Sequence, residues 1–386
     1  MSLVYIIAGE PSGDLLAARM MAALTEMTGG KVSFAGIGGE AMREQGLVSL
    51  FPQRDLAVMG LAEVVPSIPR ILRRLKETLA DIAAKQPAII VTVDSWGFTG
   101  RVAKALKKQG STIPRLHYVA PMVWAWKAKR VHQLAERVHR LMCLLPNETQ
   151  AFEAAGLPSV HVGHSVLENG ADQGDGAAFR KKYGLSEQVP LLCVLPGSRR
   201  SEISRLLPVF HDTVAILAEG RPGLRVVVPT VETVAEDVTA AVAHWPVPVL
   251  VVRGTQERYD AFAASHAALA ASGTVALELA LARLPMIIAY RLSPLTALLA
   301  RRLIKLRFVC LINLLLDRLV VPEFLLEDCV PHKMAPALIK LFDDGNARAA
   351  QIAGAAEALR LLGQGGGSPS HRAAEEVLKM METHAS

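Results

Sequence analysis

The sequence predicts an α/β protein of two doubly wound parallel-sheet domains facing each other across a cleft. Three observations carry that expectation. Near-continuous apolar runs of strand length alternate with helical stretches along most of the 386 residues, the pattern of parallel sheets covered on both faces. The alternation pauses at a small, polar stretch, "NGADQGDGAAF" at 169–179, which reads as a linker, and then restarts. With 51% hydrophobic and 20% charged residues, the chain has enough apolar side chains for two cores and too little charge for wholesale disorder.

In the first half the strand candidates are "LVYIIAG", "VSFAGIG", "AIIVTVD", "RLHYVAP", "LMCLLP" and "SVHVGH". The first runs into Gly9–Asp14 and then into "LLAARMMAALTEM", where Leu16, Met20, Ala23, Leu24 and Met27 fall at helical spacing. That is strand, tight loop, helix. After the linker come "LLCVLPGS", "LRVVVPT", "PVLVVRG", "AALAASG" and "PMIIAYR". "GQGGGSPS", 363–370, reads as a flexible break before a last short helix. No internal repeat is evident.

A formal net charge of +6 and a sequence pI near 9.2 favour anionic partners: nucleotides, nucleic acid or an acidic lipid surface. Nucleic acid is the poorest fit, because the basic residues lie on leucine-rich helices and only 5% of residues are aromatic. Four cysteines stand far apart with no CxxC pair, which suits a reducing compartment better than disulfides or zinc. The N-terminus lacks a signal-peptide pattern and no apolar run reaches membrane-spanning length, so a cytoplasmic location is expected. There is no D-x-D and no HExxH. A metal-held diphosphate is therefore not expected, and helix dipoles and arginine would carry that charge.

Ligands of such sheets bind beyond the carboxyl ends of the strands, so the loops there are the candidate site. Glu10 to Asp14, with Ser12 and Gly13 between them, open the first helix and its free N–H groups. Capping by Ser12 or Asp14 explains one polar residue but not Glu10 as well, so the loop reads as ligand-facing. "GIGGEA", 36–41, matches the G-x-G-x-x-G/A spacing of dinucleotide folds but follows the second strand. It reads as a glycine-rich turn, with no NAD expected. In "LLCVLPGSRRSEI", Gly197 allows a close turn, and Ser198, Arg199 and Arg200 follow, a good geometry for phosphate oxygens. In "ASGTVALELAL", Ser272, Gly273 and Thr274 open a helix at a strand end. Glu278 is the sole charge there, either a helix-face carboxylate or a partner for sugar hydroxyls. Asp94 ends an apolar strand, either as general base or as cap of the next helix.

Trp124 and Trp126 precede Lys127, Lys129 and Arg130 in "HYVAPMVWAWKAKR". They fit packing on sugar rings, on membrane headgroups, or a core with a solvated basic face. Two basic, leucine-rich stretches, 68–79 and 291–321, point to peripheral contact with an anionic membrane.

These stretches, with "LAVMGLAEV" and "NLLL…VPEFL", stand in the order seen in the lipid-A-disaccharide synthases, which the chain resembles from about residue 4 to 330. The resemblance implies a GT-B glycosyltransferase of two Rossmann-like domains, an acceptor-side domain at 1–168 and a UDP-sugar-binding domain at 169–350. Helices at 351–386 would cross back to the first domain or to a partner chain. It implies inverting transfer from UDP-2,3-diacylglucosamine to 2,3-diacylglucosamine 1-phosphate, giving a β(1→6) disaccharide phosphate and UDP, without cofactor or metal. Both substrates are acylated, so the resemblance also implies the cytoplasmic face of the inner membrane, and it allows for a homodimer. Asp94 would be the base, with Glu10 and Asp14 as rivals. Arg199 and Ser272–Thr274 would hold the diphosphate and Glu278 the ribose. Further substrate contacts would come from Ser12, Gly13, Met59, Gly60, Trp124, Trp126, Arg130, Gly197, Ser198, Glu202, Tyr290, Asn313 and Glu323. The chain departs from the family pattern at Trp96 and Gly97, where "D-[SA]-P-D-F" is usual, and in "LPNE", "GHS" and "EFLLE". The nearest rivals are a UDP-sugar epimerase on the same fold and a non-catalytic binding relative.

Overall fold

All eleven strand candidates form, and each lies in one of two all-parallel six-stranded sheets. In this computed structural model, residues 1–56, 61–121, 128–292 and 307–385 are described, with the side chains of all of these except 61–67, 128, 129 and 385. The chain divides into two units, Met1–Ser165 with Leu362–Ser386, and Val166–Leu361.

The first unit contains β1 (Ser2–Ala8), β2 (Val32–Ile37), β3 (Ile89–Val93), β4 (Arg115–Tyr118), β5 (Arg140–Cys143) and β6 (Ser159–His161). Their order is β2-β1-β3-β4-β5-β6, every pairing parallel. The order reverses between β1 and β3, which run in register from Val4↔Ile89 to Ala8↔Val93. Both strands are buried throughout their paired length, and apolar but for Thr92, because helices cover the sheet on both faces: Val4, Ile6 and Val91 point into one core cluster, Tyr5, Ile7 and Ile90 into another.

The second unit contains β7 (Leu191–Leu195), β8 (Arg225–Thr230), β9 (Val249–Arg253), β10 (Ala267–Ala271), β11 (Met286–Tyr290) and β12 (Glu323–Leu325). Counted within the unit the order is 3-2-1-4-5-6, with the switch point between β7 and β10. The three-residue β12 has no counterpart among the expected strands; it is too short for a period to show.

Three expectations need correction. The stretch 169–179 is not a free linker. The first crossover falls at Ser165–Val166 rather than 168–169, and a helix, Gly176–Lys182, begins inside the stretch, capped by the Asp175 carboxylate accepting from the Ala178 N–H at 2.8 Å. Its glycines serve close packing: a Cβ on Gly174 or Gly176 would overlap the Tyr259 or Ala263 carbonyl of the helix Thr255–Ala264. The second crossover comes at Leu361–Leu362, not 350–351, because residue 351 lies inside the helix Gly345–Leu361. There Gln351 hydrogen-bonds the Met286 N–H and C=O at 2.6 and 3.0 Å. The last helix is not short either. It runs Pro369–Ala385 and packs Ala373, Ala374, Val377 and Met380 into the first unit's core beside the helix Pro11–Met27.

Candidate active site

The switch point of the second unit opens into a cavity of about 700 Å³. Its lining comes from the loops after four strands: Gly197, Ser198, Arg199 and Glu202 after β7, Thr230–Glu232 after β8, Gly254, Thr255 and Arg258 after β9, and Ser272–Val275 with Glu278 after β10. Gly197 adopts φ +105°, a left-handed conformation that suits glycine, and places Ser198 and Arg199 at the start of the helix Arg200–Glu219. The Ser198 N–H donates to Glu202 at 3.2 Å, and the Arg199 guanidinium to the same carboxylate at 2.8 Å. Across the cavity the Ser272 N–H is taken by the Ala289 carbonyl at 3.1 Å. The amide contribution of that loop therefore falls to Gly273 and Thr274, whose N–H groups have no acceptor among the described residues.

Glu278 is buried and accepts from Arg258 and from Asn169 Nδ2, both at 3.3 Å. Burial pushes its carboxyl up from the usual range, and Arg258, Asn169 and Tyr259 pull it back. Two polar atoms on the cavity wall, Thr230 Oγ1 and Arg258 Nε, have no hydrogen-bond partner among the described residues, as befits groups that meet a polar ligand. Arg258 and Asn169 were not among the sequence candidates. A rule that loops after β8 and β9 face the ligand as well would have reached Arg258; Asn169 gave no such signal.

In the first unit the switch point brings the loops after β1 and β3 together. Ser95 Oγ donates to Glu10 at 3.3 Å, and Gln53 Nε2 ties the Ala8 and Glu10 carbonyls at 2.9 and 3.1 Å. Asp94 and Ser95 both sit at positive φ, +48° and +45°, strain of the kind that gathers at working sites. Asp94 does not cap the helix Trp96–Lys108; its half-buried carboxylate has no hydrogen-bond partner among the described residues. Trp96, at the departure from the usual motif, packs edge-on against buried His117 at 4.9 Å.

Asp14 is placed otherwise than a catalytic group requires. It is buried and accepts from the N–H groups of Gly39, Ala41 and Met42 at 2.7, 3.0 and 3.2 Å. It thereby caps the helix Glu40–Glu44 and fills the "GIGGEA" turn, whose amides would otherwise be open to a phosphate. Ser12 is exposed in the first turn of its helix, and Gly13 is buried against Val93. Arg130 is exposed and Tyr290 half-buried at the end of β11.

Asn313 is fully buried and spends its whole amide locally, donating to the Val321 carbonyl and Glu323 and accepting from Val320 and Val321. Glu323 accepts in addition from the Val309 and Cys310 N–H groups at 2.9 and 3.1 Å. These two residues pin residues 309–323; the Asn313 amide is fully engaged there, while Glu323 holds three donors. Met59, Gly60, Trp124 and Trp126 lie outside the described residues, as does the part 293–306 of the basic stretch 291–321.

A family model for lipid-A-disaccharide synthetase matches residues 4–377. The chain belongs to the lipid-A-disaccharide synthase family. The synthase of Paramagnetospirillum magneticum is 58% identical over 97% of both chains, and that of Rhodospirillum centenum 52% identical over 98% of this chain and 94% of its own. As a member of that family the chain is a glycosyltransferase. Its fold is shared with more distant proteins. A UDP-bound S. aureus MnaA structure superposes with a TM-score of 0.63 at 12% identity, covering 100% of this chain and 97% of that one. An Acinetobacter baumannii MurG structure reaches 0.56 at 14%, covering 99% and 100%. Among the described residues no helix is long and apolar enough to cross a membrane, and no group of three or more His, Cys, Asp or Glu stands where it could hold a metal ion.

Proposed function

We propose that the chain transfers the sugar of UDP-2,3-diacylglucosamine to the 6-hydroxyl of 2,3-diacylglucosamine 1-phosphate. The products are the β(1→6) disaccharide phosphate and UDP. The observation that carries this reading is the second unit's cavity, in a member of this synthase family. It pairs an anion-binding loop, Gly197–Arg199 with the Gly273 and Thr274 amides, with a buried carboxylate, Glu278, suited to two ribose hydroxyls.

Asp94 takes the proton of the acceptor hydroxyl. The freed oxygen bonds to the anomeric carbon as the bond from that carbon to the diphosphate oxygen breaks, and the centre inverts. Charge on the departing UDP is taken by Arg199 and the loop amides, without metal. Asp94 is favoured over Asp14 because three amides already engage the latter. Exposed Glu10, linked to Ser95, is the remaining rival. A peripheral site at the cytoplasmic face of the membrane fits the helix Leu61–Lys85, on which Ile68 and Leu72 stand exposed among Arg70, Arg73 and Lys76.

The test is product formation from both substrates by wild type and Asp94→Asn without added metal. Disaccharide from wild type, with a loss of roughly 10²-fold or more in a folded mutant, is the expected result. An active mutant moves the base to Glu10, and no product from wild type sinks the reading.

A further inference from the structure

Two of the donors assigned to phosphate in the second unit, the Ser198 N–H and the Arg199 guanidinium, already have an occupant. The Glu202 carboxylate accepts one hydrogen bond from the Ser198 N–H at 3.2 Å and one from the Arg199 guanidinium at 2.8 Å. Gly197 leaves room for it: a Cβ there would overlap the Glu202 carboxylate. The cavity wall has two cations, Arg199 and Arg258, against three carboxylates, Glu202, Glu232 and Glu278. Arg258 is engaged with Glu278. Arg199, on the same loop as Ser198, is likewise tied in the free protein, to Glu202.

We infer that Glu202 is an internal stand-in for the donor's diphosphate: it fills the anion-binding loop between turnovers and competes with UDP for Ser198 and Arg199. The inference rests on the reading of this cavity as the UDP site. A carboxylate and a diphosphate compete for the single Ser198 N–H, and although the Arg199 guanidinium has further N–H groups to offer, two anions at that spacing repel each other in a partly exposed site. The diphosphate carries more charge and more acceptor oxygens, so it displaces the side chain. Glu202 has somewhere to go. It lies in the first turn of the helix Arg200–Glu219, where the dipole favours a carboxylate even without its present partners. The same exchange runs backward after transfer. UDP leaves with the diphosphate still attached, and the returning carboxylate takes over the vacated donors. Donor affinity is lowered and product release is quickened by one group.

The alternative is that Glu202 only orients Arg199 for the phosphate, and the two roles predict opposite signs. UDP and uridine are titrated calorimetrically into wild type, Glu202→Gln and Glu202→Ala, with a thermal melt of each protein. Competition predicts UDP bound roughly tenfold tighter by both variants, the order expected from removing one close like charge in a partly exposed site, and uridine bound equally by all three. Weaker or unchanged UDP binding in a variant that melts like wild type overturns the inference and leaves Glu202 a positioning residue. Equal tightening of uridine overturns it too, because the gain would not come from the diphosphate. Failure of wild type to bind UDP overturns the cavity reading itself, and the inference with it.

Discussion

The two units start a helix after a glycine-rich turn in the same way and fill the opening differently. In the first unit the turn at Gly36–Ala41 is closed by Asp14, which is buried, comes from another helix and satisfies three amides. In the second, the turn at Gly197–Arg199 is occupied by Glu202 from its own helix, through one amide and one exposed arginine, at the wall of a 700 Å³ cavity. One plug is structural and the other is removable. The difference teaches that a phosphate-binding pattern states only that amides converge; what fills them is decided by a side chain elsewhere in the sequence. Asp14 stands 25 residues before Gly39, outside any window in which the pattern is read.

The largest effect should come from breaking the permanent plug. Asp14→Ala leaves three helix-start amides inside the first unit without an acceptor and removes a carboxylate from the positive end of a helix. A loss of about 3 kcal/mol in unfolding free energy is expected from such orphaned donors. UDP affinity should stay at the wild-type value, because the second unit is untouched. Chemical denaturation paired with UDP titration checks both halves, and a stable Asp14→Ala protein would mean the amides find water instead.

This contrast also marks how far the sequence was legible. Strands such as "YIIA" and "IIVTV" were readable because both sheet faces are buried, which favours near-continuous apolar runs. The loops around Asp94, Arg199 and Ser272 were readable because each follows such a strand directly. Three things were not. Asp14 and Asn313 are polar for internal reasons, and their partners, backbone groups together with the Glu323 carboxylate, are brought in only by the fold. Asn169 sits in a glycine-rich stretch that looked like a linker, yet those glycines allow close packing against the helix Thr255–Ala264 and deliver Asn169 to Glu278. Arg258 lies a full turn into its helix, beyond the strand end that drew attention to the others.

Acid should separate the units next. They share one device: His139 and His266 each donate a main-chain N–H to a neighbouring strand and accept that strand's N–H on Nδ1, at 3.0 and 3.1 Å. Burial lowers both rings' affinity for a proton. The first unit adds two deeper histidines. His117, bonded to Thr92 Oγ1 at 2.8 Å, is pushed down by burial to about 3, and His164, by burial and by His161, to about 4. With folded values below the unfolded one, the unfolded state binds more protons, so stability is full above about pH 6.5 and falls as pH drops below it. The two deep histidines should together withdraw about 2 kcal/mol by pH 5.5. Hydrogen exchange at pH 7 and 5.5 should show the first unit's core amides losing more protection than the second's. Equal losses would assign the acid sensitivity to the shared brackets.

The smallest effect tests the removable side of the comparison from within the same cavity wall. Glu278→Gln keeps the shape of the side chain and the Asn169 contact but removes the charge that Arg258 balances. A neutral amide accepts ribose hydroxyls less strongly than a carboxylate does, so uridine and UDP should both weaken, by roughly tenfold or about 1.4 kcal/mol. Glu202→Gln is the same chemical change a short distance along the wall, yet it should strengthen UDP and leave uridine alone. If both substitutions moved the two ligands in the same direction, the wall would be responding to its overall charge, and the separate roles for ribose and diphosphate would fall together. Opposite signs for UDP, with uridine sensitive only to Glu278, would locate each carboxylate on its own part of the nucleotide.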